Sequence, residues 1–128
     1  MAAQEQPALA ARSMTVSQLN ALIKRVLGNN LPATIHLVGQ ISNFSRPSSG
    51  HLYFTLKDEH AEIRAVMWRT AATSVKFKIE DGMEVVATGS VDVYEPRGQY
   101  QLQVRKLDPK GVGNLELAFR QLHERLGR

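Results

Sequence analysis

The first regular pattern along the chain is an apolar stripe at helical spacing. Thr15 and Gln18 match a capping box, in which each side chain bonds the backbone N–H of the other residue, and they predict where the helix begins. Gly28, with Pro32 beyond it, ends the pattern. The apolar positions of this predicted helix are Val16, Leu19, Leu22, Ile23, Val26 and Leu27. We expect the stripe to pack into a hydrophobic core.

After residue 34 the period changes to two, which is typical of strands with one buried face. The alternation predicts strands over residues 34–44, 51–57, 62–68 and about 83–94, and a fifth strand that contains Tyr100, Leu102 and Val104. Residues 69–77 break the alternation and indicate a short helix or turn. Gly39 inside the first strand suggests a bulge or a bend where the strand curls.

This order of elements predicts a mainly β fold with flanking helices. Three strands, a short helix and two more strands follow the order of the OB-fold, a five-stranded Greek-key β-barrel. Residues 14–110 would hold an amphipathic helix and this barrel. Residues 1–13 contain Glu5 and Pro7 but no apolar run, so we expect a flexible tail and not a signal peptide. Residues 111–128 should form a linker and the start of a helix that leads to a further domain.

Composition limits the chemistry that the chain can perform. Its 128 residues carry a net charge of +4, which favours a polyanionic partner. There is no cysteine, which excludes disulfides and thiolate metal sites, and the four histidines lack the spacing of zinc ligands. Asp58, Glu59 and Glu62 are expected to form a polar turn and not a metal site. We therefore expect no catalytic residue, metal or cofactor here, and no run approaches the roughly 20 apolar residues of a membrane helix.

Aromatic and cationic residues are interleaved on the predicted outward faces of the second and third strands and around two loops. Such a mixture holds a single nucleic-acid strand, because bases stack on aromatic rings while cations neutralise phosphates. The predicted nucleic-acid-binding residues are Phe44, Arg46, His51, Tyr53, Lys57, Arg64, Trp68, Arg69, Tyr94, Arg97 and Tyr100. Trp68 could instead pack beneath the first helix, and Phe44 and Tyr100 could equally belong to the core.

Three segments carry a family resemblance: RPSSGHLYFTLKD at 46–58, IRAVMW at 63–68 and VYEPRG at 93–98. Together with neighbouring residues, over about 15–126, they resemble the large subunit of bacterial exodeoxyribonuclease VII. The resemblance implies an amino-terminal OB domain that grips single-stranded DNA for a cytoplasmic hydrolase, which degrades such strands to acid-soluble oligonucleotides. In that family the catalytic region lies downstream and a small subunit joins the large one. We therefore expect this chain alone to be inactive as a nuclease.

Other functions remain compatible with the residues. An OB barrel can serve as a protein-contact or assembly module, since a fold does not determine a function. It can also bind RNA, which recognition of the 2′-hydroxyl group would distinguish from DNA. A self-sufficient nuclease would require metal-dependent cleavage that involves Asp58 or Glu62.

Overall fold

A computed structural model describes residues 12–110 of the chain. Nearly all of the predicted tail and the whole predicted linker and C-terminal helix lie outside the described residues. The elements in chain order are α1 (Val16–Asn30), β1 (Ile35–Ser45), β2 (Leu52–Lys57), β3 (Glu62–Met67), α2 (Arg69–Ala72), β4 (Glu84–Tyr94) and β5 (Gln99–Pro109).

The strands close into a barrel in the order β1-β2-β3-β5-β4. All neighbouring strands are antiparallel except β3 and β5, which run parallel and pair Ala65 with Leu102. Alternate residues of the strands fill the interior, where Leu52, Val85 and Leu102 are completely buried. The order and closure of the strands confirm the predicted OB-fold.

The bulge in β1 does not lie at Gly39. Pairing with β2 is regular from Gln40 to Ser42 and shifts between Ser42 and Ser45, where Asn43 has a φ of 53°. This position suits a bulge because asparagine tolerates the left-handed region better than most residues. Gly39 instead permits close packing, since a Cβ there would lie 3.3 Å from the Cβ of Leu56 on β2.

The start of α1 confirms the capping-box prediction. The backbone N–H of Gln18 donates to Oγ1 of Thr15 over 3.0 Å, and the backbone N–H of Thr15 donates to Oε1 of Gln18 over 2.8 Å. These two bonds satisfy backbone donors that have no partner inside the helix. The helix then continues through Gly28 to Asn30, two residues beyond the predicted end.

The expectation that the apolar stripe of α1 packs into the core is wrong. The helix contains no buried residue, and Val16, Leu19, Ile23 and Val26 remain 76%, 44%, 40% and 47% exposed. The barrel buries its apolar side chains in its own interior, so α1 lies outside that interior and packs against β4. Periodicity correctly predicted the helix and its apolar side, but it does not tell whether the barrel covers that side.

Candidate nucleic-acid interface

The outer face of β2 and β3, here called the β2–β3 face, presents polar and aromatic side chains along two paired strands. Tyr53 lies across from Val66, Thr55 from Arg64 and Lys57 from Glu62. Tyr53 is 37% exposed, and Lys57 and Arg64 are exposed as well. Val66, which the alternation predicts to point outward, is only 1% exposed. The face therefore combines a tyrosine, a covered apolar position and flanking cations.

His51, Trp68 and Arg69 form a compact cluster at one end of this face. The backbone N–H of Arg69 donates a 2.9 Å hydrogen bond to Nδ1 of His51. The rings of His51 and Trp68 meet edge to face, with centroids 5.1 Å apart and planes at 86°. Trp68 is 42% exposed, so the alternative that it packs as core beneath α1 is not what the structure shows. A partly exposed indole that is held by a neighbouring ring is suited to stacking with a base.

Gly50 shapes the loop that carries this cluster. Its φ is 89°, and its N–H donates to the carbonyl of Pro47 over 3.0 Å. A Cβ at this position would lie 2.9 Å from Cδ of Arg69, so the arginine side chain runs across the glycine. Glycine therefore permits both the turn and the close approach of the aliphatic part of the Arg69 side chain to the loop.

Phe44 and Arg46 lie at the end of β1 and just beyond it. Phe44 is half-buried and packs against the core cluster, while the guanidinium carbon of Arg46 lies 5.8 Å from the centre of its ring. The backbone N–H of Phe44 donates to Oδ1 of Asp81 over 2.9 Å, which fixes the strand next to the bulge. Phe44 thus contributes to the core and supports Arg46, and Arg46 itself is exposed.

Tyr100 lies on β5 near the ends of β2 and β3 that are opposite the His51 cluster, on the inward side of its strand with Leu102 and Val104. The parallel pairing of β3 with β5 brings it near Ile63, and it is 59% exposed. It helps to line a cleft of about 200 Å³ whose walls are formed by both apolar and charged residues. The cleft residues are Leu37, Val38, Leu56, Lys57, Asp58, Ala61, Glu62, Ile63 and Tyr100.

The sequence predicts that Tyr94 and Tyr100 flank the same loop, and the structure places them on opposite faces of the β4–β5 hairpin. In the β4–β5 hairpin Val93 pairs with Tyr100 and Tyr94 pairs with Gln99, so the two tyrosines point to opposite faces. Tyr94 shares its face with Asp92, whose carboxylate lies 3.6 Å from Nζ of Lys24 on α1. Tyr94 therefore lies on the side of the barrel that carries α1, and Tyr100 on the side of the cleft.

Helix α1 supports the turn between β4 and β5. Nδ2 of Asn20 donates a 2.8 Å hydrogen bond to the carbonyl of Glu95, and Lys24 also lies 3.6 Å from the Glu95 carboxylate. Arg97 in this turn is exposed. Asn20 and Lys24 were missed from the sequence, although two polar residues beside an apolar stripe are a signal that a helix contacts polar groups.

The predicted cations near the β2–β3 face form no ion pair in the described part of the chain. Within residues 12–110, no ion pair involves any of the predicted cations Arg46, Lys57, Arg64, Arg69 and Arg97. Other lysines do pair, for example Lys106 with Asp108 at 3.8 Å. Unpaired surface cations are available for phosphate groups, which would not have to compete with a bound carboxylate.

The carboxylates near the β2–β3 turn have a structural explanation. Oδ1 of Asp58 accepts hydrogen bonds from the backbone N–H groups of His60 at 2.8 Å and Ala61 at 2.9 Å, and these bonds lower the pKa of Asp58. Such a bonding pattern closes a turn. In the part of the chain that the structure describes, no group of three or more histidine or acidic residues is placed to hold a metal ion. Neither helix of that part is long and apolar enough to cross a membrane.

Comparisons with known proteins agree with the barrel. A family model described as an OB-fold nucleic acid binding domain matches residues 14–108. The exodeoxyribonuclease 7 large subunits of Geotalea uraniireducens and Geobacter sulfurreducens are 53% and 50% identical over 117 residues, which cover 91% of this chain. The chain spans about a quarter of their length, 26% of each. A solved chain from a replication protein A heterotrimer bound to single-stranded DNA superposes with a TM-score of 0.52 at 15% identity, over 74% of this chain and 73% of that one.

Proposed function

The chain belongs to the family of OB-fold nucleic acid binding domains, and from this premise we propose that it binds single-stranded DNA within an exodeoxyribonuclease VII large subunit. One observation carries the proposal. The β2–β3 face and its flanking loop bring exposed rings, those of Tyr53 and Trp68, beside cations that form no ion pair within residues 12–110. Bases can stack on such rings while the phosphates that join them meet the cations.

The single DNA strand would cross the whole β2–β3 face. It would begin at the cluster of His51, Trp68 and Arg69, pass Tyr53 and Arg64, and reach the cleft beside Tyr100. Stacking and phosphate contacts carry little base identity, so sequence preference should be slight. With about three to five phosphates neutralised, the logarithm of the affinity should fall by roughly 0.7 for each phosphate per log unit of salt.

Fluorescence anisotropy of a labelled strand of about 20 nucleotides, longer than the site of one OB barrel, tests this proposal. The chain is titrated at two salt concentrations against single-stranded DNA, the duplex and an RNA of the same sequence. We expect salt-sensitive binding that prefers the DNA strand. Preference for RNA would favour the RNA-binding alternative. If the chain did not bind DNA but associated with another protein in a salt-insensitive way, the assembly alternative would be favoured.

Two substitutions separate the stacking and phosphate contributions. Tyr53→Ala should weaken binding by about 1–3 kcal/mol, the usual contribution of one stacked base, and leave the salt slope unchanged. Arg64→Ala should reduce the salt slope by about 0.7, because one phosphate contact is lost. Lys106→Ala is the matched control, since Lys106 pairs with Asp108 on β5 and lies outside the interface. Equal effects of Arg64→Ala and Lys106→Ala would contradict the proposed location.

For the whole protein we propose the activity that the relatives' name describes. The complete large subunit would hydrolyse single-stranded DNA in the cytoplasm together with a small subunit, and this domain would hold the substrate without cofactor or catalytic residue. The high identity to named large subunits supports this proposal. Release of acid-soluble nucleotides by the full-length protein with its small subunit, but not by this chain alone, is the expected result.

A further inference from the structure

The His51 side chain contacts both the ring of Trp68 and the backbone N–H of Arg69. The short helix α2 begins at Arg69, and Trp68, which precedes it, offers no side-chain bond to its first backbone donors. Nδ1 of His51 accepts the N–H of Arg69 instead, from a loop 18 positions earlier in the chain. The imidazole thus replaces the missing cap and ties the loop after β1 to the segment after β3.

The same bond fixes the protonation state that the cluster requires. An imidazole nitrogen that accepts a hydrogen bond carries no proton, so Nδ1 of His51 must be bare and Nε2 must hold the hydrogen of the neutral ring. The imidazolium ion has two donors and no acceptor, and it cannot make this bond. The same ring also makes the edge-to-face contact with Trp68, with centroids 5.1 Å apart and planes at 86°.

The Arg69 side chain also lies against the loop that carries His51. Cδ and Cγ of Arg69 would lie 2.9 and 3.0 Å from a Cβ at Gly50, the residue that precedes His51. Within residues 12–110, no carboxylate bonds to His51 from any neighbouring element. A proton on Nδ1 would therefore remove the acceptor of the Arg69 N–H, and no carboxylate of the described chain bonds to the ring in its place.

We propose that His51 is a positioning residue of the DNA site, which in its neutral form holds Trp68 in a stacking orientation and does not serve as a cation for phosphate. This inference rests on the proposed function. The two roles predict opposite effects of acidification on DNA affinity, because a phosphate-binding histidine strengthens DNA binding as it gains charge. A positioning histidine weakens binding under the same change.

DNA affinity measured by anisotropy from about pH 7.5 to about pH 5.5, the range in which histidine changes charge, separates the two roles. Acidification adds positive charge elsewhere, so the comparison is with His51→Asn, whose Oδ1 can take the place of Nδ1 but does not titrate. We expect the ratio of wild-type to His51→Asn affinity to fall by about threefold to tenfold on acidification, the value of one hydrogen bond. His36→Asn, on β1 and paired across to Thr88, should follow the wild-type profile. A rising or constant ratio overturns the proposal.

A second readout needs no DNA and so distinguishes failure of this inference from failure of the proposed function. Trp68 is the only tryptophan of the chain, and its fluorescence reports its own surroundings. Its emission should titrate in the wild type and in His36→Asn, and should not titrate in His51→Asn. His51→Phe keeps a ring but no acceptor, and should give a pH-independent emission with weakened DNA binding. Wild-type emission that does not titrate overturns the proposal even if DNA binds, whereas a titrating emission without any DNA binding would contradict the proposed function alone.

Discussion

Nδ2 of Asn20 donates a 2.8 Å hydrogen bond to the backbone carbonyl of Glu95, across 75 positions of sequence. The bond joins the middle of α1 to the turn between β4 and β5, next to Gly98, whose φ of 62° completes that turn. The helix thus supports one of the loops beside the proposed DNA site, although most of its apolar stripe is exposed.

Loss of this bond should destabilise the domain. Asn20→Ala leaves the Glu95 carbonyl without its side-chain donor, and we expect a loss of about 1 kcal/mol in the free energy of unfolding, measured in urea. Alanine also favours a helix, so Asn29→Ala in the same helix is the control for that gain. No difference between the two variants would show that the bond does not contribute in solution.

Local signals and long-range contacts differ in how well the sequence predicts them. Thr15 and Gln18 are three positions apart, and the rule that joins them is a property of every helix start, so the capping box could be predicted. The bond from Asn20 to Glu95 depends on how a helix is placed on a hairpin, and no periodicity specifies that placement. The exposed stripe from Val16 to Val26 was mispredicted for the same reason.

The candidate site shows a similar division. Alternation along β2 predicted that Tyr53 and Lys57 lie on one face, because strand geometry enforces it. Alternation alone did not predict that Tyr94 and Tyr100 point to opposite faces, because this depends on the hairpin register, which pairs Val93 with Tyr100. The hydrogen bond from Arg69 to His51 could not be predicted from the sequence, since the loop and the helix end come together only when the barrel closes.

The two glycines Gly89 and Gly28 should respond oppositely to the same substitution. A Cβ at Gly89 would collide with the backbone carbonyl of Gln103, at the point where the pairing of β4 and β5 shifts. Gly89→Ala should therefore destabilise the barrel by about 1–3 kcal/mol, as overpacking of a filled interior does. Gly28 lies in α1 with nothing within 4 Å, so Gly28→Ala should stabilise the domain by about 0.5–1 kcal/mol. Urea unfolding of both variants tests the contrast, which a destabilised Gly28→Ala would contradict.

The opposite facing of the two tyrosines predicts different effects on DNA binding. Tyr100 borders the cleft at the end of the β2–β3 face, whereas Tyr94 lies on the side of α1. Tyr100→Ala should weaken binding by about 1 kcal/mol or more through a lost stacking surface. Tyr94→Ala should weaken it less, although Tyr94 is also 53% exposed. If Tyr94→Ala weakened binding more than Tyr100→Ala in the anisotropy assay, the DNA would lie on the other side of the hairpin.

Binding should not depend on a divalent metal. The proposed contacts are rings and cations, and Asp58 already accepts two backbone hydrogen bonds in its turn. Excess EDTA should leave the affinity for single-stranded DNA unchanged once ionic strength is matched, because salt itself alters binding. Restoration of lost affinity by magnesium after EDTA treatment would indicate a metal-dependent contact.

Acid stability should depend on Asp58. The backbone N–H groups of His60 and then Ala61 bond its charged form and lower its pKa in the folded state. A carboxyl group whose pKa falls on folding contributes stability above the ordinary value of 3.8, and this contribution is lost as the pH drops through the lower, folded value. Asp58→Asn keeps an oxygen acceptor but does not titrate, so its stability should change less than that of the wild type below this pH. Glu59→Gln removes a carboxylate from the same turn and is the matched control, because Glu59 makes none of these backbone bonds. Thermal unfolding across the acid range checks the difference, and identical profiles for wild type and Asp58→Asn would show that the turn does not depend on the charge of Asp58.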